Sequence, residues 1–484
     1  MKILVLQLAR FGDIFQTWPC LSALRRKYPE AEIQFAVRER YQAAAENLTA
    51  VDKLVSLPTK SILSPLIFSE EGIEDSLIEM DRYIDSFDSD YDQIINLSFS
   101  PFSSYLVDEI KSENTEVMGY DRFEDGFLKI ADDSSAYFYA QVGVGRFNRL
   151  HLVDIFAMVA GVELEPQDFQ HPSSQNPTRE DRPYYVIHVG ASRSFKTCTS
   201  ESWEAILRIL LKKTDHIVYL VGTKEEKLNS EWIKTQNRIV DLCGETSIDD
   251  LFPMVAGADA LIAGDSMLVQ VANLTNTKCL NVSFPTVNFW ETGPRVPGSR
   301  VVFFKDVENV NTQMLCDQLA YLGTEENMLS NVYLCKPQNH VLYQYTQATE
   351  DEFQWALIRA MYMGFDYPIA EKVDIAIAQS KIHELALLGI ENLKEVQKNP
   401  QNHVSMGILD EVDQLMVEIG RRNSESQPLV KWFLSEKSRI GPGAFEDILD
   451  QTINVYEQLK VVSNLYTMEE EIPVEVERRD LTWK

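Results

Sequence analysis

The strongest constraint on this chain is a pattern that occurs twice: an apolar run too short for a helix, a turn built on glycine, then an amphipathic stretch. The first copy opens the sequence as KILVLQL, ARFGD and IFQTWPCLSALRRKYP, and the second reads YYVIHVG, ASRSFKTCT and SWEAILRILLKK. A short run that is apolar at almost every position reads as a strand buried on both faces, and such strands belong to parallel sheets covered by helices. The alternation continues beyond each copy. AEIQFAVRE, KLVSL, an acidic stretch from Ser69 to Asp92, QIINLSF, the helix-like SSYLVDEIK and TEVMGYD follow the first. HIVYLVG, EKLNSEWIKTQ, IVDLCG, IDDLFPMVAG, ALIAGDS, LVQVANLT and KCLNVSF follow the second. Strands that keep returning after helices predict βαβ units and a doubly wound α/β sheet in each half.

Between the two series stands the helix-like LHLVDIFAMVAGVE and then PQDFQHPSSQNPTREDRP, whose prolines, serines and charges cannot carry a helix onward. We therefore expect one Rossmann-like lobe over residues 1–170 and a second over 171–326, facing each other across a cleft of the kind in which ligands bind. From about Asn327 strands are expected to give way to helices. EDEFQWALIRAMYMGF, VDIAIAQSKIHELALLGIENLKEVQ, GILDEVDQLMVEIGRR and AFEDILDQTINVYEQLKVVSNLY carry apolar residues at helical spacing and predict an all-α extension over 327–484.

Charge narrows the partners. The chain has 74 Asp and Glu against 45 Lys and Arg, a formal net charge of −29, which repels phosphate backbones and anionic lipid headgroups over most of the surface. No nucleic-acid partner is expected. A phosphate-bearing ligand must be held by a local site of backbone N–H groups, helix N-termini and one or two placed cations. The apolar start lacks a long hydrophobic core with a cleavage site, and no stretch approaches the roughly 18 apolar residues of a membrane span. No transmembrane segment is expected, and peripheral membrane contact is left open, as is the oligomeric state. Six cysteines are scattered without a CxxC pair, which fits reduced thiols in a cytoplasmic protein.

The residues suited to chemistry sit where strands hand over to helices. Asp13 follows Arg10 and Gly12 in the first such turn, at the sheet edge where open α/β folds bind ligands. It is either a helix cap or, facing the cleft, a base that takes the proton of an attacking hydroxyl. In the second copy Gly190 and Ala191 let the backbone approach a ligand, Ser192 and Ser194 offer hydroxyls, and Lys196 brings a charge. Such a loop is either a solvated turn or a cradle for a diphosphate. Asp265 and Ser266 occupy a third turn, as a helix cap or as contacts to sugar hydroxyls or phosphate oxygens. Glu225 and Glu226 follow HIVYLVG, as ordinary first-turn carboxylates or as acceptors for ribose hydroxyls. His188, inside an apolar strand, reads as a core or supporting histidine, and His151 begins a helix with no identifiable partner. There is no GxxxxGK[ST], no GxGxxG after either first strand and no HExxH, so neither a P-loop enzyme nor a Rossmann dehydrogenase is expected, and no metal or cofactor is expected to be required.

Taken in order, these segments resemble glycosyltransferase family 9, the ADP-heptose heptosyltransferases, over about residues 1–325. KILVLQLARFGDIFQTWPCLSALRRKYPEAEI is similar to the family's opening strand, RxGD turn and TxP-containing first helix, with Thr17 and Pro19 in register. MGYD at Met118 to Asp121, IHVGASRSFKTCTSESW, LVGTKEE, DLCGETSIDDLFPMVAGADALIAGDS and WETGP are similar to later segments of the family. The resemblance implies a GT-B fold of two Rossmann-like lobes and an inverting, metal-independent transfer. It implies Asp13 as general base, Ser192 and Lys196 at the donor phosphates, and Glu226, with Glu225 as the alternate, at the ribose. Two departures stand out. The family's D-[TS]-G-P-M-H reads Asp265-Ser266-Met267-Leu268-Val269-Gln270 here, and Cys198 replaces a tryptophan two residues after the lysine.

The resemblance thus implies transfer of a heptose or related sugar from a nucleotide-diphosphate donor to a surface-glycan, lipopolysaccharide-core or protein acceptor. The alternative is a binding or scaffold protein whose altered Asp265 turn has lost donor chemistry.

Overall fold

The computed structural model describes residues 1–68, 72–338, 341–370 and 373–466. Its strands in chain order are β1 (Lys2–Leu6), β2 (Glu32–Arg38), β3 (Lys53–Leu57), β4 (Gln93–Asn96), β5 (Glu116–Arg122), β6 (Leu128–Ile130), β7 (Tyr184–His188), β8 (Ile217–Val221), β9 (Ile239–Asp241), β10 (Ala260–Ala263), β11 (Cys279–Ser283), β12 (Arg300–Phe303), β13 (Val332–Gln338) and β14 (Val341–Gln344). The chain packs into two units, Met1–Asp92 with Arg149–Ala348, and Gln93–Asn148 with the chain from Thr349 onward.

In the first unit β1 pairs in parallel with β2, and β2 with β3. Ile3, Leu4, Val5 and Leu6 are all fully buried, as a strand covered on both faces requires. The second sheet runs β14-β13-β12-β11-β10-β7-β8-β9, parallel from β12 through β9. Strand order reverses between β7 and β10, so the turns that follow these two strands meet at one crevice. The helix Phe11–Lys27 packs on the helix Met267–Thr275. Its Gln16 amide donates to the Glu291 carbonyl at 3.1 Å. Trp18 stacks on His171, ring centroids 4.6 Å apart, and His171 stacks on Phe252 at 3.6 Å. Burying each of the two large apolar rings is worth about 1.5–3 kcal/mol, so the helix that carries Asp13 is firmly seated.

β13 and β14 correct the expectation that strands end near Asn327. Both are antiparallel additions to the second sheet. Val332, Tyr333, Leu334 and Cys335 are buried, a short run apolar on both faces, and Lys336 and Pro337 fall at its outer end. A short apolar run of this kind cannot be told from a buried helical segment by periodicity alone.

In the second unit β4 pairs in parallel with β5, and β6 returns antiparallel. The MGYD segment lies in β5, where Gly119 adopts φ +92° and a side chain would strike the Asn96 carbonyl. Its buried Asp121 takes both oxygens to Lys111 at 2.8 Å. The acidic stretch that begins at Ser69 has its first three residues outside the described ones, and from Ile73 to Ile84 it is a helix of the first unit.

The helices expected beyond residue 350 form as Glu352–Met363, Val373–Lys398, His403–Arg422 and Phe445–Asn464, and Gln427–Arg439 adds one more. The part of the predicted extension from 467 onward lies outside the described residues. Gly389 lets the Tyr456 ring lie against its helix, because a Cβ there would fall 2.2 Å from the ring. The helix Asp133–Gln141 packs on Gln427–Arg439, joined by Asp133 to Arg439 at 2.7 Å and by the Gln141 amide to the Pro428 carbonyl at 3.1 Å. No described helix is long and apolar enough to cross a membrane.

Candidate functional site

The loop after β7 and the turn after β10 meet as the strand order requires. Asp265 N–H donates to the Lys196 carbonyl at 3.1 Å. Gly264 makes that approach feasible, since a Cβ there would stand 2.5 Å from the same oxygen. The side chains then close the contact: Lys196 Nζ donates to Asp265 Oδ2 at 2.7 Å, and Thr292 Oγ1 donates to Asp265 Oδ1 at 2.8 Å. Lys196 and Asp265 both remain partly open, with 23% and 17% of their side chains exposed. A cation held at a sheet crevice but still reachable from solvent is suited to an anionic ligand.

A cavity of about 710 Å³ opens beside this pair, lined by Gly190, Phe195, Trp203, Glu226, Leu228 and Val307 among others. This volume suits a small-molecule ligand. Glu226 accepts from the Thr223 N–H at 2.7 Å and lies 3.9 Å from His188 Nε2. Its carboxylate sits directly over Gly190, where a Cβ would come within 1.9 Å of Cδ. Glu225 also lines the cavity but is exposed. The Ser192 and Ser194 hydroxyls are exposed on the loop. Ser266 precedes the helix Met267–Thr275 and its carbonyl accepts the Val269 N–H at 3.1 Å, but its side chain makes no cap bond and its hydroxyl is buried without a partner.

Asp13 stands in the first turn of the helix Phe11–Lys27, with Arg10 as the cap residue, and its Oδ2 accepts the Arg10 N–H at 3.0 Å. Protein crowds it although one face stays open. Burial pushes its carboxyl above the usual carboxylate range and the charge of Asp265 adds to that, against the pull of the Arg10 N–H. The two carboxylates are therefore electrostatic neighbours. Around Gly12, open space lies where a Cβ would be, and Arg10 is exposed. Asp13, Lys196 and Asp265 thus come together, with Glu226 and Gly190 at the adjoining cavity.

Sequence reasoning passed over Thr292 and the part played by Gln270. The signal for the first was the WETGP segment itself, a threonine before Gly-Pro in a late loop. For the second it was a polar residue on the inner face of a short helix.

Three histidines near this framework are buried and neutral. Burial lowers His188 and His171 to about 4, and burial with the charge of Arg295 lowers His151 further, against its bond to the Gly293 carbonyl. A group whose folded pKa is depressed stabilises the fold above its unfolded value, and that stability is lost as pH falls towards the folded value. The urea midpoint should therefore hold from pH 8 to 7 and decline from about 6.5 down to about 4. A midpoint that stayed level to pH 4.5 would contradict neutral burial of these rings.

Residues 87–294 match glycosyltransferase family 9 (heptosyltransferase). The family 9 match spans the loops of Lys196, Glu226, Asp265 and Thr292, while Asp13 lies before it. The chain is 21% identical over 317 residues to lipopolysaccharide heptosyltransferase 1 of Campylobacter coli, covering 60% of this chain and 85% of that one. Among solved structures it is similar to E. coli heptosyltransferase WaaC with ADP, at 15% identity and TM-score 0.51, over 66% of this chain and 99% of that one. It is also similar to E. coli ADP-heptose lps heptosyltransferase II, at 17% identity and TM-score 0.46, over 66% and 98%. The fold is thus of the expected GT-B type, α/β lobes followed by helices, and the chain is similar to heptosyltransferases.

Proposed function

We propose that this protein is a glycosyltransferase that moves a heptose or related sugar from a nucleoside-diphosphate donor to a glycan or protein acceptor, with inversion. The observation that carries this is the Lys196 ammonium at the β7/β10 crevice, next to a nucleotide-sized cavity and paired with Asp265, whose charge is felt at Asp13. In the step proposed, Asp13 takes the proton of the acceptor hydroxyl as its oxygen forms a bond to the anomeric carbon. The bond from that carbon to the diphosphate breaks on the opposite face, and Lys196 stabilises the charge gathering on the departing diphosphate. Glu226 offers its carboxylate to ribose hydroxyls, and the 47% exposed ring of Phe195 offers a face to the nucleoside. The relatives' names point the same way, since one of the solved heptosyltransferases is described with ADP.

The test is thermal stabilisation by ADP, UDP, GDP and CDP and their sugar conjugates, because a ligand that binds only the native state raises the apparent stability. A shift with one base supports a donor site and names the base. No shift with any of them sinks the transferase proposal and favours a binding protein on this fold.

Gly190→Ala probes the Glu226 assignment without touching Glu226. The new methyl group collides only with the end of a flexible side chain, so the fold should survive while the carboxylate is pushed aside. We expect the affinity of the selected nucleotide to fall about tenfold to a hundredfold, the worth of a charge-assisted hydrogen bond. Calorimetric titration checks it, and an unchanged Kd would remove Glu226 from the nucleoside site.

A further inference from the structure

Gln270 lies on the inner face of the helix Met267–Thr275 and is only 4% exposed. Burying a primary amide is costly unless its groups are bonded, and here they are. Gln270 Nε2 donates to the Thr292 carbonyl at 2.5 Å, and Gln270 Oε1 accepts from Asn273 Nδ2 at 3.0 Å. Asn273, buried as well, also reaches the Gly293 carbonyl at 3.3 Å through Nδ2 and accepts the Arg295 N–H at 2.7 Å through Oδ1. Two amides on one helix therefore hold three backbone groups of the Thr292–Arg295 segment. That segment supplies the Thr292 hydroxyl that occupies Asp265 Oδ1, and so leaves Oδ2 for Lys196.

We propose that Gln270 is a positioning residue: with Asn273 it clamps the Thr292–Arg295 segment so that Thr292 fixes the Asp265 carboxylate and Asp265 in turn aims the Lys196 ammonium. What the aimed ammonium is for rests on the transferase function proposed above, but the relay itself does not. Neither amide titrates, so the clamp they place on the Thr292–Arg295 segment carries no pH dependence of its own. Each link is a hydrogen bond between side chains or to backbone, and nothing in the chain of contacts passes through the donor cavity. Loss of the Gln270 donor leaves the Thr292 carbonyl buried without its partner, and the segment shifts to recover one.

Acylation of lysines by an amine-reactive reagent at fixed pH, read peptide by peptide in the full-length protein, tests this without a sugar donor. Gln270→Met keeps the shape of the side chain and removes the amide. Lys196 should then be labelled about threefold faster than in the parent, the release from an ion pair of this exposure, with Lys213 and the other lysines unchanged. Thr292→Val cuts the relay one link further on, leaves the buried amides in place and should give the same rise. Thermal unfolding shows that each variant is folded. Unchanged labelling of Lys196 in folded Gln270→Met overturns the clamp, and unchanged labelling in Thr292→Val overturns the relay even if Gln270→Met fails to fold. Should the parent transfer no sugar from any donor while Lys196 responds as stated, the transferase proposal fails and the clamp stands.

Discussion

Asp13→Asn should lower the rate of sugar transfer about 10²- to 10⁴-fold, the usual loss when a general base is removed, while leaving the protein no less stable. Both halves follow from one environment. Burial and the neighbouring Asp265 disfavour the ionised carboxylate, which lifts the pKa towards the range where a base works best at neutral pH. The same lift means that the folded state holds the proton more tightly than the unfolded chain does. Its stabilising contribution is complete at low pH and is lost as pH rises through the folded pKa. Asparagine carries no charge to destabilise, and its side-chain oxygen can still accept the Arg10 N–H. Initial rates with the nucleotide sugar selected by thermal shift, together with melting curves at pH 7.5, check both halves. Transfer within tenfold of the parent would remove Asp13 from the chemistry.

The second large effect is expected from Lys196→Ala. Removing one preorganised charge from the leaving group should lower kcat about 10²- to 10³-fold, with a smaller stabilising shift from the nucleotide. Stability should change little, because Asp265 is partly exposed and keeps its bond to Thr292. The loss should also be felt at Asp13. Lys196 neutralises Asp265, and without it the full charge of Asp265 bears on the Asp13 carboxyl. The ascending limb of the pH–rate profile should therefore move to higher pH in the variant. A limb that stayed in place would mean that Asp13 and Asp265 do not share one electrostatic site.

The strands β1, β7 and β10 were legible because each is apolar on both faces, and the turns that follow them were legible because each carries a glycine and polar residues close behind it. The pairing of Lys196 with Asp265 follows from the order of strands once β7 and β10 are neighbours, but that order is set by packing across the whole sheet. Glu226 was favoured over Glu225 only by the family resemblance, since the residues themselves left both open. The choice depends on the space over Gly190, which belongs to the preceding strand's turn. Thr292 and Gln270 escaped for a similar reason, since their partners lie in other elements and neither residue type announces the role. β13 was hidden because only Val332 to Cys335 of its seven residues are apolar and the run ends at Lys336 and Pro337. The helix Gln427–Arg439, with a proline near its start and mixed polar residues, offered a weaker periodic signal than its neighbours.

The packing of Asp133–Gln141 on Gln427–Arg439 has a bearing on how the chain is made. During vectorial synthesis the segment that contains β4, β5 and β6 emerges long before the helices it packs against. Domains generally fold as units, and a unit whose pieces lie far apart in sequence cannot finish until the later piece is out. The surface of Asp133–Gln141 that ends up under the C-terminal helices must stay exposed until they emerge, with Tyr137, whose ring meets Tyr362, and Gln141 on it. For this protein the C-terminal helices are therefore a late-arriving partner for a mid-chain segment, and in the cell the window for unwanted association opens early and closes only as they appear.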